Sequence, residues 1–231
     1  FERLNDDCGY EQWSQYFLKG LTGLGVGKRG LEVGCGSGAF TRALAKAGYE
    51  MTGCDLSAPM LSKALSLARE KGLKINFVQA DAAKLSLGKF DFLLSPNDCY
   101  NYIPHSNLRS AFRHAAASLK KSGIFWFDIS SEYKLREKIA NNVFADDRDE
   151  VTYLVFNHLF ADRVEMDVTL FVRRLDGAFE RYDEQHTQYI HTVPDVCKLL
   201  EETGFELVRV EGHLGENFEK SDRVNFICRK L

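Results

Sequence analysis

Ten residues, Leu31-Glu32-Val33-Gly34-Cys35-Gly36-Ser37-Gly38-Ala39-Phe40, narrow the possible folds more than any other stretch of the chain. A short apolar run ends in a turn containing Gly34, Gly36 and Gly38. A helical pattern leaves that turn, with Phe40, Leu44 and Ala45 on one face and Gly48 as a stop. Glycines in a strand-to-helix turn let main chain approach a ligand at the start of the helix. The same alternation recurs downstream. Tyr49 to Cys54 reads as a strand, and Ser57 caps a helix with Pro59 in its first turn. Met60, Leu61, Ala64, Leu65, Leu67 and Ala68 give that helix its apolar face, and Gly72 ends it. Ile75 to Val78 and Phe90 to Ser95 are further strands. A helical stripe of Leu108, Phe112, Ala115 and Leu119 then leads through Gly123 to a strand at Ile124 to Ile129. Strand and helix alternating at this period predict an α/β fold with parallel strands joined by right-handed crossovers.

The period changes after residue 130. Residues 132–150 are charged and read as a helix and a loop, with Asp146-Asp147-Arg148-Asp149-Glu150 as a solvated loop. Three strand-like runs follow, near 151–160, 164–174 and 178–190. Asp162-Arg163 and Asp176-Gly177 occupy the turn positions. The α/β pattern then resumes with a helix opened by Pro194 and strands at Phe205 to Val210 and Val224 to Cys228. The expected organisation is one α/β core, 1–131 and 191–231, interrupted at 132–190 by a three-stranded antiparallel sheet.

Composition sets the outer limits. Of 231 residues, 45% are hydrophobic and 27% charged, which excludes wholesale disorder and fibrous repeats. No apolar run reaches the roughly 18 residues of a membrane helix, and no basic-then-apolar leader follows Phe1. A net charge of −3 argues against sequence-independent nucleic-acid binding. The six cysteines, Cys8, Cys35, Cys54, Cys99, Cys197 and Cys228, form no C-x-x-C pair and no disulfide framework, so a reducing, cytoplasmic setting is expected. The histidines show no metal-ligand spacing among themselves or with the cysteines, so no metal is expected.

Asp55 lies 21 residues after Gly34, at the end of the second strand, where a carboxylate can accept from both hydroxyls of a ribose. The glycine string also satisfies G-x-G-x-x-A, which a nicotinamide enzyme tolerates. Glu32, two residues before the first glycine, favours a cationic ligand over a diphosphate. Asp81 in Val78-Gln79-Ala80-Asp81-Ala82 can accept from an adenine amino group while the N–H of Ala82 donates to a ring nitrogen.

These stretches, with Gly53-Cys54-Asp55-Leu56-Ser57, Met60 and Phe90-Asp91-Phe92-Leu93-Leu94, resemble the class I S-adenosylmethionine-dependent methyltransferases. The resemblance covers residues 10–131 well and the final helix and strands more loosely. It implies a Rossmann-like seven-stranded sheet, mostly parallel, with helices on both faces and an antiparallel last strand. It also implies S-adenosylmethionine as cofactor. Glu32, Gly34, Cys35, Gly36 and Gly38 would lie near its methionine moiety, Asp55 on the ribose, Leu56 and Met60 beside the adenine, and Asp81 with Ala82 at the adenine edge. The inserted strands resemble those of small bacterial methyltransferases related to glycine N-methyltransferase and sugar N,N-dimethyltransferases, in which such a sheet covers the acceptor. Tyr10-Glu11-Gln12-Trp13 resembles their opening helix, placing Tyr10 and Trp13 at the sulfonium by cation–π attraction. Packing of that helix through Trp13, Tyr16 and Phe17 is an equal alternative.

Methyl transfer needs alignment and exclusion of water more than a fixed catalytic triad. Acceptor-side candidates follow the fourth strand, in Ser95-Pro96-Asn97-Asp98-Cys99-Tyr100-Asn101-Tyr102. Asn97 and Asp98 can hold the cofactor's amino group or the acceptor. Asp128, Ser130, Ser131 and Tyr133 follow the fifth strand. His186, in Glu184-Gln185-His186-Thr187-Gln188-Tyr189, can act as a base or orient an acceptor. Asp98, His186 and Tyr10 are thus the catalytic candidates. The expected acceptor is the nitrogen or oxygen of a small molecule, with no nucleic acid and no membrane. A homodimer through the inserted sheet's edge is open. Alternatives are a methyltransferase acting on tRNA or protein, a nicotinamide-dependent oxidoreductase, and a cofactor-binding protein without transfer activity.

Overall fold

The computed structural model describes residues 9–231, so Cys8 lies outside the described residues. In chain order the main elements are α1 (Tyr10–Gly23), β1 (Arg29–Val33), α2 (Ala39–Lys46), β2 (Glu50–Asp55), α3 (Ala58–Glu70), β3 (Asn76–Gln79) and β4 (Phe90–Ser95). Then come α4 (His105–Ser118), β5 (Leu119–Ser130), β6 (Val143–Arg148), β7 (Val151–Leu159), β8 (Arg163–Arg173) and β9 (Phe179–Tyr189). The chain closes with α5 (Val193–Glu202), β10 (Phe205–Glu211) and β11 (Arg223–Lys230).

Seven strands form the central sheet in the order β10-β11-β5-β4-β1-β2-β3. The pairs β1–β2, β1–β4, β2–β3 and β4–β5 are parallel. β11 runs antiparallel to both β5 and β10, as the resemblance implies. Apolar side chains leave the sheet on both sides, which is why β4 and β5 read as continuous hydrophobic runs. On one face Trp13, Phe17 and Leu21 of α1 and Phe40 and Leu44 of α2 pack on Phe92, Leu94, Trp126 and Ile227. On the other, Leu108, Phe112 and Ala115 of α4 and Val196 and Leu200 of α5 pack on Leu93, Phe125, Phe127 and Phe226. Each fully buried Phe or Leu contributes about 1.5–3 kcal/mol relative to exposure. Ser57 caps α3 by accepting from the Met60 N–H at 3.4 Å, with Pro59 in the first turn.

The insertion is a four-stranded antiparallel sheet, β6-β7-β8-β9, rather than the expected three strands. The additional strand is β6, and it takes in Asp146, Asp147 and Arg148 of the run expected to be a solvated loop. β6 is an edge strand whose residues are mostly exposed, so no alternation of apolar and polar positions marks it. The segment before it forms a π-helical turn, Lys134–Ile139. The inserted sheet is anchored at its root, where Leu135, Val164 and Ile190 form a small core of their own with Ile139, Leu159 and Met166 around it.

Candidate active site

The ends of β1, β2, β3 and β4 open on a cavity of about 540 Å³, a size suited to a small-molecule ligand. Its wall includes Val33, Gly34, Asp55, Leu56, Asp81 and Ala82 on one side and Asn97, Asp98, Cys99 and Tyr102 on the other. Gly34 has φ +71°, and a Cβ there would lie 2.5 Å from Cys99 Sγ, so this turn closes tightly only with glycine. At Gly36, φ +51°, a Cβ would meet nothing nearer than Met60 Cε at 3.5 Å. Asp55 fixes the turn: Oδ2 accepts from the Gly36 N–H at 2.7 Å and Oδ1 from the Ser57 N–H at 2.9 Å. A carboxylate has about four acceptor sites, so it can still take ligand hydroxyls. Asp81 accepts from the Ala83 N–H at 2.8 Å, which caps the turn Ala82–Lys84, and also faces the cavity. Leu56 is 66% exposed at the cavity lip, an apolar surface open to a planar ring.

The charge of this wall decides what it can hold. Among the described residues three carboxylates line it, Asp55, Asp81 and Asp98, and no lysine, arginine or histidine does. Such a wall fits a cationic adenosyl ligand and repels a diphosphate. Glu32 lies beneath the turn, 1% exposed, and accepts from the Thr41 hydroxyl. Burial raises its pKa to about 7 against the opposing hydrogen bonds of Thr41 and the charge of Arg42. S-adenosylmethionine therefore fits this cavity in size, polarity and charge.

On the Asn97–Asp98 side of the cavity, side chains distant in sequence meet behind Asp98. Its Oδ2 accepts from Ser130 Oγ at 2.8 Å and Gln188 Nε2 at 3.3 Å. Arg223 NH1 and Lys134 Nζ stand 3.7 and 3.9 Å from the same oxygen. Lys134 also donates to Ser130 Oγ at 3.1 Å. Burial lowers the pKa of Lys134, with the charge of Asp98 opposing. Asp128 is fully buried, and its carboxyl pKa is raised by burial against the pull of Arg223. Asn101 joins core to insertion: its Oδ1 accepts from the Ser130 N–H at 2.8 Å and its Nδ2 donates to Tyr189 O at 3.0 Å.

Thus Gly34, Asp55, Leu56, Asp81, Ala82, Asn97 and Asp98 share one cavity wall. Glu32, Cys35, Gly36, Gly38 and Met60 are not on that wall. Cys35 is buried, with its thiol pKa pushed up by burial. Trp13 is buried among Phe17, Phe40 and His213, so the packing alternative describes its surroundings, and the cation over its ring is Arg223 at 4.9 Å. Tyr10 packs on Phe40 and lines a separate groove between α1 and α2. Neither aromatic is on the cavity wall, because their helix turns them onto α2 and the sheet. His186 pairs with Glu184 at 3.0 Å and sets its ring against Tyr102, beside the cavity rather than on its wall. Sequence reasoning missed Arg223 and Lys134. The signal for Arg223 was available: in an antiparallel last strand the first residue, not the last, lies at the ligand end of the sheet.

A methyltransferase-domain family profile matches residues 31–123. The chain is 31% identical to a candidate methyltransferase of Geobacillus sp. (strain WCH70), across all of this chain and 96% of that relative. The crystal structure of an S-adenosylmethionine-dependent methyltransferase from Clostridium acetobutylicum ATCC 824 matches with a TM-score of 0.92 at 29% identity, over 98% of this chain and 94% of that one. The sugar N-methyltransferase KedS8 from Streptoalloteichus sp ATCC 53650 shares the fold, with a TM-score of 0.82 at 18% identity over 99% and 90% of the two chains. With the carboxylate-lined cavity at the glycine turn, these matches define the class: the chain belongs to the S-adenosylmethionine-dependent methyltransferases. The nicotinamide oxidoreductase alternative falls with that membership.

Proposed function

We propose that this enzyme methylates a nitrogen or oxygen atom of a small-molecule acceptor, held between the Asp98 side of the cavity and the root of the inserted sheet. The observation that carries this reading is the contact of β9 with two residues of the cavity wall: Gln188 donates to Asp98, and His186 sets its ring against Tyr102. Residues of the insertion thus stand beside a cavity of about 540 Å³, a size that supports a small acceptor. KedS8, which has the same architecture, is named for a sugar acceptor.

In this reading Asp55 takes the ribose hydroxyls, Leu56 covers the adenine, and Asp81 with the Ala82 N–H reads its edge. Asn97 and Asp98 face the charged end of the donor and the incoming acceptor. Glu32 adds negative potential beneath the glycine turn. Bound S-adenosylmethionine supplies a methyl group already activated by the sulfonium, so the protein's part is to orient the acceptor and keep water away. An acceptor that arrives protonated needs a group to take its proton, and in this reading Asp98 on the wall or His186 beside it does so. The test is a panel of small amines and hydroxyl compounds assayed by release of S-adenosylhomocysteine. Turnover with members of the panel supports the reading. Turnover confined to tRNA or protein, with none on the panel, overturns it.

A further inference from the structure

We infer that Asp128 and Arg223 are positioning residues that hold the Asn97–Asp98 main chain in a left-handed conformation, and so aim Asp98 at the transfer site. The transfer-site clause rests on the function proposed above; the backbone clause does not.

Asn97 has φ 66° and Asp98 φ 55°. Asn and Asp visit this region more readily than other non-glycine residues, but as isolated residues. Two in succession need something that favours them, and the structure provides it. Asp128 Oδ2 accepts from the Asn97 N–H at 2.9 Å and Oδ1 from the Asp98 N–H at 2.8 Å. One carboxylate, fully buried at the end of β5, thus grips two consecutive main-chain donors. Charge-assisted bonds of this kind are about twice as strong as neutral ones.

Arg223 completes the grip from β11. Its NH1 donates to Asp128 Oδ1 at 3.1 Å and its NH2 to Asn97 Oδ1 at 2.6 Å. A guanidinium fork can hold a carboxylate and an amide oxygen at once, and an ammonium cannot match that geometry. The other face of the guanidinium lies on the Trp13 ring, so α1 clamps it from behind. With its backbone so held, Asp98 keeps its side chain on the cavity wall, on Ser130 and Gln188. Asp128 and Arg223 themselves do not line that cavity.

The test uses Asp128→Asn, Asn97→Gly and the double variant. S-adenosylhomocysteine is the calorimetric probe, and crystal structures of each variant report the backbone at 97 and 98. Asp128→Asn replaces one acceptor oxygen by a donor facing a donor. It is expected to move residues 97–98 out of the left-handed region and to weaken probe binding about tenfold. Glycine at 97 adopts positive φ without a partner. Asn97→Gly is therefore expected to restore about fivefold of that loss in the Asp128→Asn background while giving no gain in the wild-type background. A merely structural role for Asp128 predicts no such dependence on background. If Asp128→Asn does not fold, Arg223→Lys takes its place, with the same displacement expected and rescue by the same glycine. Residues 97–98 remaining left-handed in these variants, or a displaced loop that glycine fails to restore, overturns the inference. A displaced loop restored by glycine with probe affinity unchanged throughout upholds the backbone role and removes residues 97–98 from the donor site.

Discussion

The central sheet buries both of its faces, whereas the inserted sheet is anchored only at its root and leaves Phe144, Phe156, Phe179 and Tyr182 exposed along its length. The two halves of the site proposed above, one for the donor and one for the acceptor, inherit this difference. The donor half is shaped by main chain over short sequence distances: a glycine turn, one carboxylate tied to two amide groups, one capping aspartate. The acceptor half is shaped by long side chains from three separated stretches, such as Arg223 on Asn97 and Gln188 on Asp98. A rigid donor half suits one invariant ligand.

The largest expected effect strikes the donor half. Asp55→Ala removes the carboxylate that holds the turn and, in the proposed reading, the ribose, and S-adenosylhomocysteine affinity should fall by about a hundredfold in calorimetry. A loss below threefold would place the ribose elsewhere. Next comes Gly34→Ala, whose new methyl meets Cys99 Sγ at 2.5 Å from a left-handed backbone. It should lower stability by about 1–3 kcal/mol in urea unfolding. Gly36→Ala lacks that close contact and should cost less by the same measurement.

Two pH responses separate the halves further. His191 sits at the junction between insertion and core, where its Nε2 faces the carbonyls of Tyr100 and Ile103 and its Nδ1 faces His105 Nδ1 at 3.1 Å. Burial lowers its pKa to about 4, with the charge of His105 adding to the effect. An unfolded chain protonates this residue near 6.5. The unfolded state therefore binds more protons between these values, and the stability His191 contributes is whole above about pH 6.5 and lost as pH falls towards 4. Denaturant midpoints measured across that window should fall in the wild type and flatten in His191→Gln.

Glu32 shifts the other way. Its raised pKa means that the ligand-free fold loses stability as pH rises through about 7. A cationic ligand favours the ionised form, so S-adenosylmethionine affinity should rise a few fold between pH 6 and 8, and Glu32→Gln should abolish the slope. The smallest effect belongs to the inserted sheet's edge: Phe144→Ser, at an exposed position, should change stability by under about 0.5 kcal/mol and leave cofactor affinity alone.

The donor half was legible because its signals are local. A strand that buries every residue reads as a hydrophobic run, a turn with positive φ demands glycine, and Ser57 before Pro59 announces a helix start. The acceptor half was legible only as a neighbourhood. Asn97 and Asp98 were placed correctly at the strand end, but nothing near them in sequence points to Arg223, 126 residues on. The opening helix allowed two readings, and its packing is the one visible in the fold. Tyr10 and Trp13 have the right chemistry for a sulfonium, yet an amphipathic helix buries its aromatics against whatever it packs on, here Phe40 and Arg223. β6 escaped notice because a strand wet on both sides carries no periodic code.

β11 is made late yet sits inside the sheet, between β5 and β10. A nascent polypeptide that has not reached residue 223 leaves β10 without a sheet neighbour and the Asn97–Asp98 turn without its guanidinium. Synthesis of β11 therefore completes the sheet and the turn in the same stroke.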